Sequence, residues 1–223
     1  PRDLSGVRVT VTAGPTREAI DPVRFLTNHS TGTMGFELAS ACAKRGAEVT
    51  LIAGPVTHST PRGVARRVDI TSAQDIAAAV DAAWEHTDVL IMAAAVADYR
   101  PANPADQKLK KRPGDQSLAL VRTTDVLAST KALPGRDKRV IIGFAAETEA
   151  VEENARGKLT AKSLDAIVAN DVSAEGAGFG TGDNTGLLVT PSGVTPLERA
   201  PKAEFAQAIL DALLPTIRER LDV

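Results

Sequence analysis

The 223-residue sequence has one cysteine, one tryptophan, one tyrosine and five phenylalanines. A lone cysteine, Cys42, excludes an intramolecular disulfide and argues against a cysteine-based metal site. Its surroundings, residues 38–44, read as a helix in which Cys42 is a small core residue. Neither sign of charge dominates: 26 Lys and Arg face 28 Asp and Glu, a net charge of −2. No global field therefore recruits nucleic acid or a membrane surface, and any bound anion must be held by local geometry. A signal-peptide pattern and an apolar run of 18 residues are both absent, so the expected location is cytoplasmic. No Gly-x-Gly-x-x-Gly follows the first strand-like run, which removes the usual dinucleotide fingerprint. His29, His58 and His86 lack metal-ligand spacing, and no Ser–His–Asp set suggests itself. The chain opens at Pro1 without a methionine, as expected of a piece of a longer polypeptide.

Apolar residues make up 43% of the chain, mostly Ala, Val, Ile and Leu, with only 3% aromatics. That balance suits a parallel sheet covered by alanine-rich helices. Strand-like runs over residues 7–13, 48–53, 66–70 and 89–95 alternate with helical stretches over 34–45 and from 71 to about 86. Gly46 is the expected stop of the first helix. After a break come strand 117–122, helix 125–133, strand 139–145, helix 149–163 and strand 166–169. A glycine-rich stretch, 176–186, precedes a hairpin (187–190 with 194–197) and an amphipathic helix, 202–221. The expected fold is α/β: a Rossmann-like, doubly wound, mostly parallel sheet with a C-terminal β-hairpin and closing helix. Residues 1–223 are expected to form one domain, since no linker or repeat divides them. The break, residues 98–115, is basic and aperiodic, as expected of a functional flap or a disordered segment.

Ligands of doubly wound sheets collect beyond the carboxyl ends of the strands. Five such ends carry polar or glycine-rich sequence. Residues 27–35 bring hydroxyls and glycines to a helix start, either to expose N–H groups to an anion or simply to cap the helix. Ala93 and its neighbours leave room for a flat group, and Asp98 can bind a ribose hydroxyl or a cation. The basic run Lys108–Arg112 can close over a phosphate chain or stay solvated. Lys158 and Lys162, four apart, share a helical face. Asn170 and Asp171 end the last parallel strand.

Together the segments TAGPTRE (12–18), DPVR (21–24), NHSTGTMG (28–35), AAAVADY (93–99), KLKK (108–111), GFAAE (143–147) and Asn170-Asp171 resemble the phosphopantothenate–cysteine ligase family. The likeness is to the carboxyl-terminal half of the bacterial bifunctional coenzyme A biosynthesis protein and runs from about Gly6 to Leu221. The resemblance implies CTP-dependent ligation of 4′-phosphopantothenate with L-cysteine in two steps. The carboxylate attacks the α-phosphate of CTP, releasing pyrophosphate and leaving an acyl-cytidylate; the cysteine amine then displaces CMP.

By motif position the resemblance gives Asn28 a role on the acyl-cytidylate and Lys108 a role in forming it. It assigns nucleotide contacts to Met92, Ala93, Ala94, Asp98, Lys108, Phe144, Lys158, Lys162 and the segment Thr124, Asp125, Val126, Leu127. Where many members carry Asn-Pro-Asp-Ile, this chain has Thr123-Thr124-Asp125-Val126. Mg²⁺ is the implied cofactor, with Asp98 its candidate ligand if that carboxylate does not meet the ribose. His29 and Arg24 are candidates for the phosphopantothenate phosphate. The resemblance also implies a homodimer and fusion to a flavin-dependent decarboxylase, with FMN on that other domain; neither nucleic acid nor membrane is an expected partner. A short-chain dehydrogenase shares the fold class, but its usual Tyr-x-x-x-Lys pair is missing: the only tyrosine is Tyr99, and Asn103 stands four residues on. A non-catalytic nucleotide sensor would bind CTP and release no pyrophosphate.

Overall fold

Every side chain of Val89–Met92 is buried, which a strand achieves only when both faces of its sheet are covered. The computed structural model describes residues 2–147, 149–171 and 183–222. Its strands, in chain order, are β1 (Arg8–Ala13), β2 (Arg17–Ala19), β3 (Phe25–Thr27), β4 (Glu48–Ala53), β5 (Arg66–Asp69), β6 (Val89–Met92), β7 (Tyr99–Pro101), β8 (Leu120–Arg122), β9 (Val140–Glu147), β10 (Ala166–Asp171), β11 (Asp183–Thr190) and β12 (Gly193–Pro201). The helices are α1 (Thr33–Lys44), α2 (Ala73–Ala83), α3 (Val126–Ser129), α4 (Val151–Lys162) and α5 (Lys202–Leu221).

The main sheet runs β12-β11-β10-β9-β6-β1-β4-β5. Its first six strands in chain order (β1, β4, β5, β6, β9, β10) are parallel and stand in the order 3-2-1-4-5-6 of dinucleotide-binding sheets. The hairpin β11–β12 extends it antiparallel. One face packs on α1 and α5 through Leu38, Cys42, Phe205, Ile209, Leu213 and Ile217, the last four at helical i, i+4 spacing. The other meets α2 and α4 through Ile76, Val80, Ala155 and Leu159. Cys42 is fully buried, and burial pushes its thiol up to about 12, which makes it inert packing.

The expected α/β class and the closing helix hold, and several elements differ in detail. Strand 117–122 shortens to β8 and leaves the main sheet to pair with β7, which opens the segment expected to be a loop. β7 itself is a departure from the expected loop, because three residues, two of them exposed, give no alternation from which to read a strand. Helix 125–133 reduces to α3 and a 3₁₀ turn, because Ser129 and Thr130 hydroxyls bond back to the Val126 and Leu127 carbonyls. The C-terminal hairpin is longer at both arms, 183–190 with 193–201. The small hairpin β2–β3 was not anticipated. Most of the glycine-rich stretch 176–186 lies outside the described residues.

Candidate functional site

Strands β1 and β6 lie side by side at the point where strand order reverses, and their chains leave in different directions. A cleft of about 670 Å³ opens there, well inside the range of small-molecule sites. Its floor is the end of β6 and the residues that follow, Met92–Tyr99. Two buried threonines carry that floor. The Thr12 hydroxyl accepts from Ala94 N–H at 3.2 Å, and Thr16 accepts from Ala97 N–H at 3.0 Å. Ala95 N–H donates to the Gly14 carbonyl at 2.9 Å, so the TAGPTRE segment and the alanine run brace each other. Glu18, also buried, accepts from Ala73 N–H at 2.8 Å and caps α2 instead of facing the cleft.

One wall is the start of α1, lined from Ser30 to Gly35. Gly32 stands before the helix at φ 79°, a left-handed conformation natural to glycine, and no side chain caps the N-terminus. Gly35 allows close packing: a Cβ there would lie 2.5 Å from the Ala13 Cβ. The helix start therefore presses on β1 with backbone N–H groups and the positive dipole end toward the cleft. Asn28 reaches the floor, its Nδ2 donating to the Ala95 carbonyl at 2.8 Å.

The opposite wall combines Phe144 of β9, Thr124–Leu127 around the start of α3, and Lys158 with Lys162 of α4. Asp125 caps α3 by accepting from Ala128 N–H at 3.0 Å, and Lys162 Nζ lies 2.9 Å from its other oxygen. Burial opposes the charged form of Asp125, but the Ala128 bond and Lys162 together hold its carboxyl below the usual carboxylate range. Asp98 lines the cleft mouth and is exposed. Asn170 lines the inner end, where its Oδ1 is buried without a hydrogen-bond partner.

The cleft thus gathers Asn28, Met92, Ala93, Ala94, Asp98, Thr124, Asp125, Val126, Leu127, Phe144, Lys158 and Lys162. Lys108 stands apart: it is exposed, and it is not on the cleft walls. Lys202, Asn184 and Thr185, which sequence reasoning did not select, line the cleft from α5 and β11. Lys202 is only 8% exposed, and burial lowers its pKa. The available signal was its place in the first turn of α5, where a cation opposes the helix dipole. Among the described residues no three His, Cys, Asp or Glu side chains gather as a metal cage. Mg²⁺ often takes one or two carboxylates plus substrate phosphates, so a single carboxylate such as Asp98 fits a phosphate-borne ion.

Residues 4–216 match the family described as the DNA/pantothenate metabolism flavoprotein C-terminal domain. This chain belongs to that family. It is 49% identical over 216 residues to the coenzyme A biosynthesis bifunctional protein CoaBC of Vibrio parahaemolyticus, covering 96% of the chain and 53% of the relative. The same-named protein of Escherichia coli is 45% identical over 224 residues, covering 98% and 54%. The chain therefore spans about half the length of the curated relatives it matches. Among solved structures, the C-terminal domain of CoaBC superposes with a TM-score of 0.83 at 38% identity, covering 98% of this chain and all of that one. Its sheet and flanking helices are those of this family member.

Proposed function

We propose that the chain acts as one CTP-dependent ligase domain that joins 4′-phosphopantothenate to L-cysteine in coenzyme A biosynthesis. The observation that carries the reading is the cleft itself. One concavity collects a helix N-terminus open to phosphate, an alanine floor open to a flat base, and two lysines on the facing wall. Membership of the family and the names of its bifunctional relatives support a place in coenzyme A biosynthesis.

A carboxylate is a poor electrophile until one oxygen becomes part of a leaving group. In the first step that oxygen attacks the α-phosphorus of CTP, pyrophosphate leaves, and an acyl-cytidylate forms. The amine of cysteine then attacks the acyl carbon, its proton is lost, and the acyl–oxygen bond breaks to release CMP. Charge accumulates on phosphate oxygens in the first step and on the carbonyl oxygen in the second. The α1 N–H groups, Lys158 and Lys162 suit the first, and the neutral Asn28 amide suits the second. Asp98 is the side chain that would hold Mg²⁺, which when bound neutralises phosphate charge. FMN belongs to the decarboxylase half of the bifunctional arrangement, not to this chain.

Lys108 serves the first step, and its absence from its own chain's cleft is explained if it reaches the cleft of a second copy. All seven large exposed apolar side chains among the described residues belong to the hairpin that anchors residues 105–109 or to the β7–β8 segment that contains Lys108: Val23, Phe25, Tyr99, Leu109, Leu118, Leu120 and Val121. They sit on the β2–β3 hairpin, the β7–β8 ribbon and the loop between β7 and β8, a surface that suits a homodimer. The decisive assay is pyrophosphate release from CTP. Release is expected with 4′-phosphopantothenate and not without it, and it should fall by on the order of 10²–10³ in Lys108→Gln. CTP binding with no release under any condition would mark a sensor instead.

A further inference from the structure

Outside the cleft, in the turn between β2 and β3, stands a carboxylate with no function assigned to it. The Asp21 side chain has no exposed area, so its charge must be met by hydrogen bonds. It accepts five. Oδ1 takes the N–H of Val23 at 2.9 Å and of Arg24 at 2.8 Å, which folds the turn. Oδ2 takes Arg24 Nε at 3.0 Å, Arg24 Nη2 at 2.5 Å and the backbone N–H of Leu109 at 3.1 Å. Arg24 Nη2 also donates to the Leu109 carbonyl at 2.9 Å. Both backbone polar groups of a residue 85 or more positions away are thus held by one ion pair. A second anchor lies four residues earlier, where Ala105 N–H donates to the Ile20 carbonyl at 2.9 Å.

Residues 105–109 are therefore tied at both ends to the β2–β3 hairpin, and Lys108 is the residue next to the Asp21 anchor. A lysine on an untethered loop spreads its ammonium over a wide volume. With the main chain fixed beside it, only the side-chain torsions remain to be ordered.

We propose that Asp21 is a positioning residue: by clamping Leu109 it sets where the Lys108 ammonium acts during acyl-cytidylate formation. This rests on the role given to Lys108 above. The division of labour between the two carboxylate oxygens supplies the test. In Asp21→Asn the amide oxygen can keep the two turn bonds of Oδ1. The NH₂ then stands where Oδ2 accepted, facing three donors, so the turn survives and the clamp opens.

The full chain is compared as wild type, Asp21→Asn, Lys108→Gln and the double variant. In Asp21→Asn, native-state trypsin cleavage after Lys108, Lys110 and Lys111 is expected to accelerate by on the order of 10-fold, because a released loop enters the protease more easily. Pyrophosphate release at saturating CTP is expected to fall by on the order of 10²-fold, the scale of an ångström misplacement, and to fall no further when added to Lys108→Gln. Unchanged cleavage overturns the clamp. An equal loss in both backgrounds overturns action through Lys108. If Lys108→Gln itself releases pyrophosphate normally, the role of Lys108 fails, while the cleavage rate still reports separately whether the clamp exists. Should Asp21→Asn not fold, Leu109→Pro removes the N–H that Oδ2 accepts and leaves the buried turn intact. The same outcomes are then expected of it, with cleavage read after Lys110 and Lys111 because trypsin spares the Lys–Pro bond the variant creates.

Discussion

At the scale of single residues, Asn28 shows how an uncharged side chain divides its work. One N–H of its amide holds the Ala95 carbonyl at the end of β6, leaving the second N–H and the oxygen to a ligand. Such a group can orient an acyl carbonyl or donate to the oxygen that becomes negative when the amine attacks, but adds little to holding a triphosphate. In Asn28→Asp a carboxylate oxygen would meet the Ala95 carbonyl, acceptor against acceptor, and would repel the second-step oxyanion. The variant is expected to form acyl-cytidylate from CTP and 4′-phosphopantothenate and to turn it over more slowly by on the order of 10²–10³. Mass spectrometry after mixing should find the intermediate accumulating on the enzyme. A variant that makes no acyl-cytidylate would move Asn28 to the first step. Glu18 is the counter-example at this scale. It lies in an equally conspicuous segment, and its carboxylate is buried as a helix cap.

At the scale of elements, α4 joins two walls of chemistry. Lys158 and Lys162 are one helical turn apart, and Lys162 reaches across to Asp125 at the start of α3. A nucleotide phosphate entering here would share Lys162 with Asp125, so each lysine should weaken CTP binding when truncated. Lys158→Ala and Lys162→Ala are expected to bind CTP on the order of 10-fold less tightly, a charge-assisted contact being worth about 1.5–3 kcal/mol. Both should melt near the wild-type temperature, because an exposed lysine and a partly exposed ion pair contribute little to stability. Calorimetric titration giving wild-type affinity in both would return the pair to the solvent. β1, β4, β6 and β9 were legible in the sequence as apolar runs and α5 as an amphipathic pattern, whereas α4, which buries only Ala155 and Leu159, was legible as the stretch between two such strands. The hairpin β2–β3 and strand β7 were not, because three-residue strands with exposed side chains carry no period. Of the cleft, the motif residues were legible through their resemblance to a family. Lys202 was not, because a lysine opening an amphipathic helix looks like any other until the fold buries it against β11.

At the scale of the whole molecule, the parts that escaped the sequence pattern lie together. The Asp21 clamp, the basic segment and the exposed apolar side chains all belong to β2–β3, β7–β8 and the chain between β7 and β8. The main sheet and its helices build most of the cleft, with Tyr99 and Arg122 contributed by β7 and β8, whereas Lys108 is not on its walls. The first-step role proposed for Lys108 requires that a second copy cover the surface bearing these exposed apolar side chains. Two-fold symmetry would then bring each Lys108 to the partner's cleft. Mixing two defective variants tests this directly. Lys108→Gln lacks the lysine and keeps Asn28; Asn28→Ala keeps the lysine and lacks the amide. In a mixed dimer, one cleft would combine an intact Asn28 with an intact Lys108 from the other subunit, while the second cleft would lack both. Random exchange of subunits makes half of the dimers mixed, so product formation should recover to about a quarter of the wild-type level. If each lysine serves its own chain, every cleft in every dimer lacks one group and mixing recovers nothing. Sedimentation of the same samples should show dimers throughout; a monomer with full activity would end the two-copy reading.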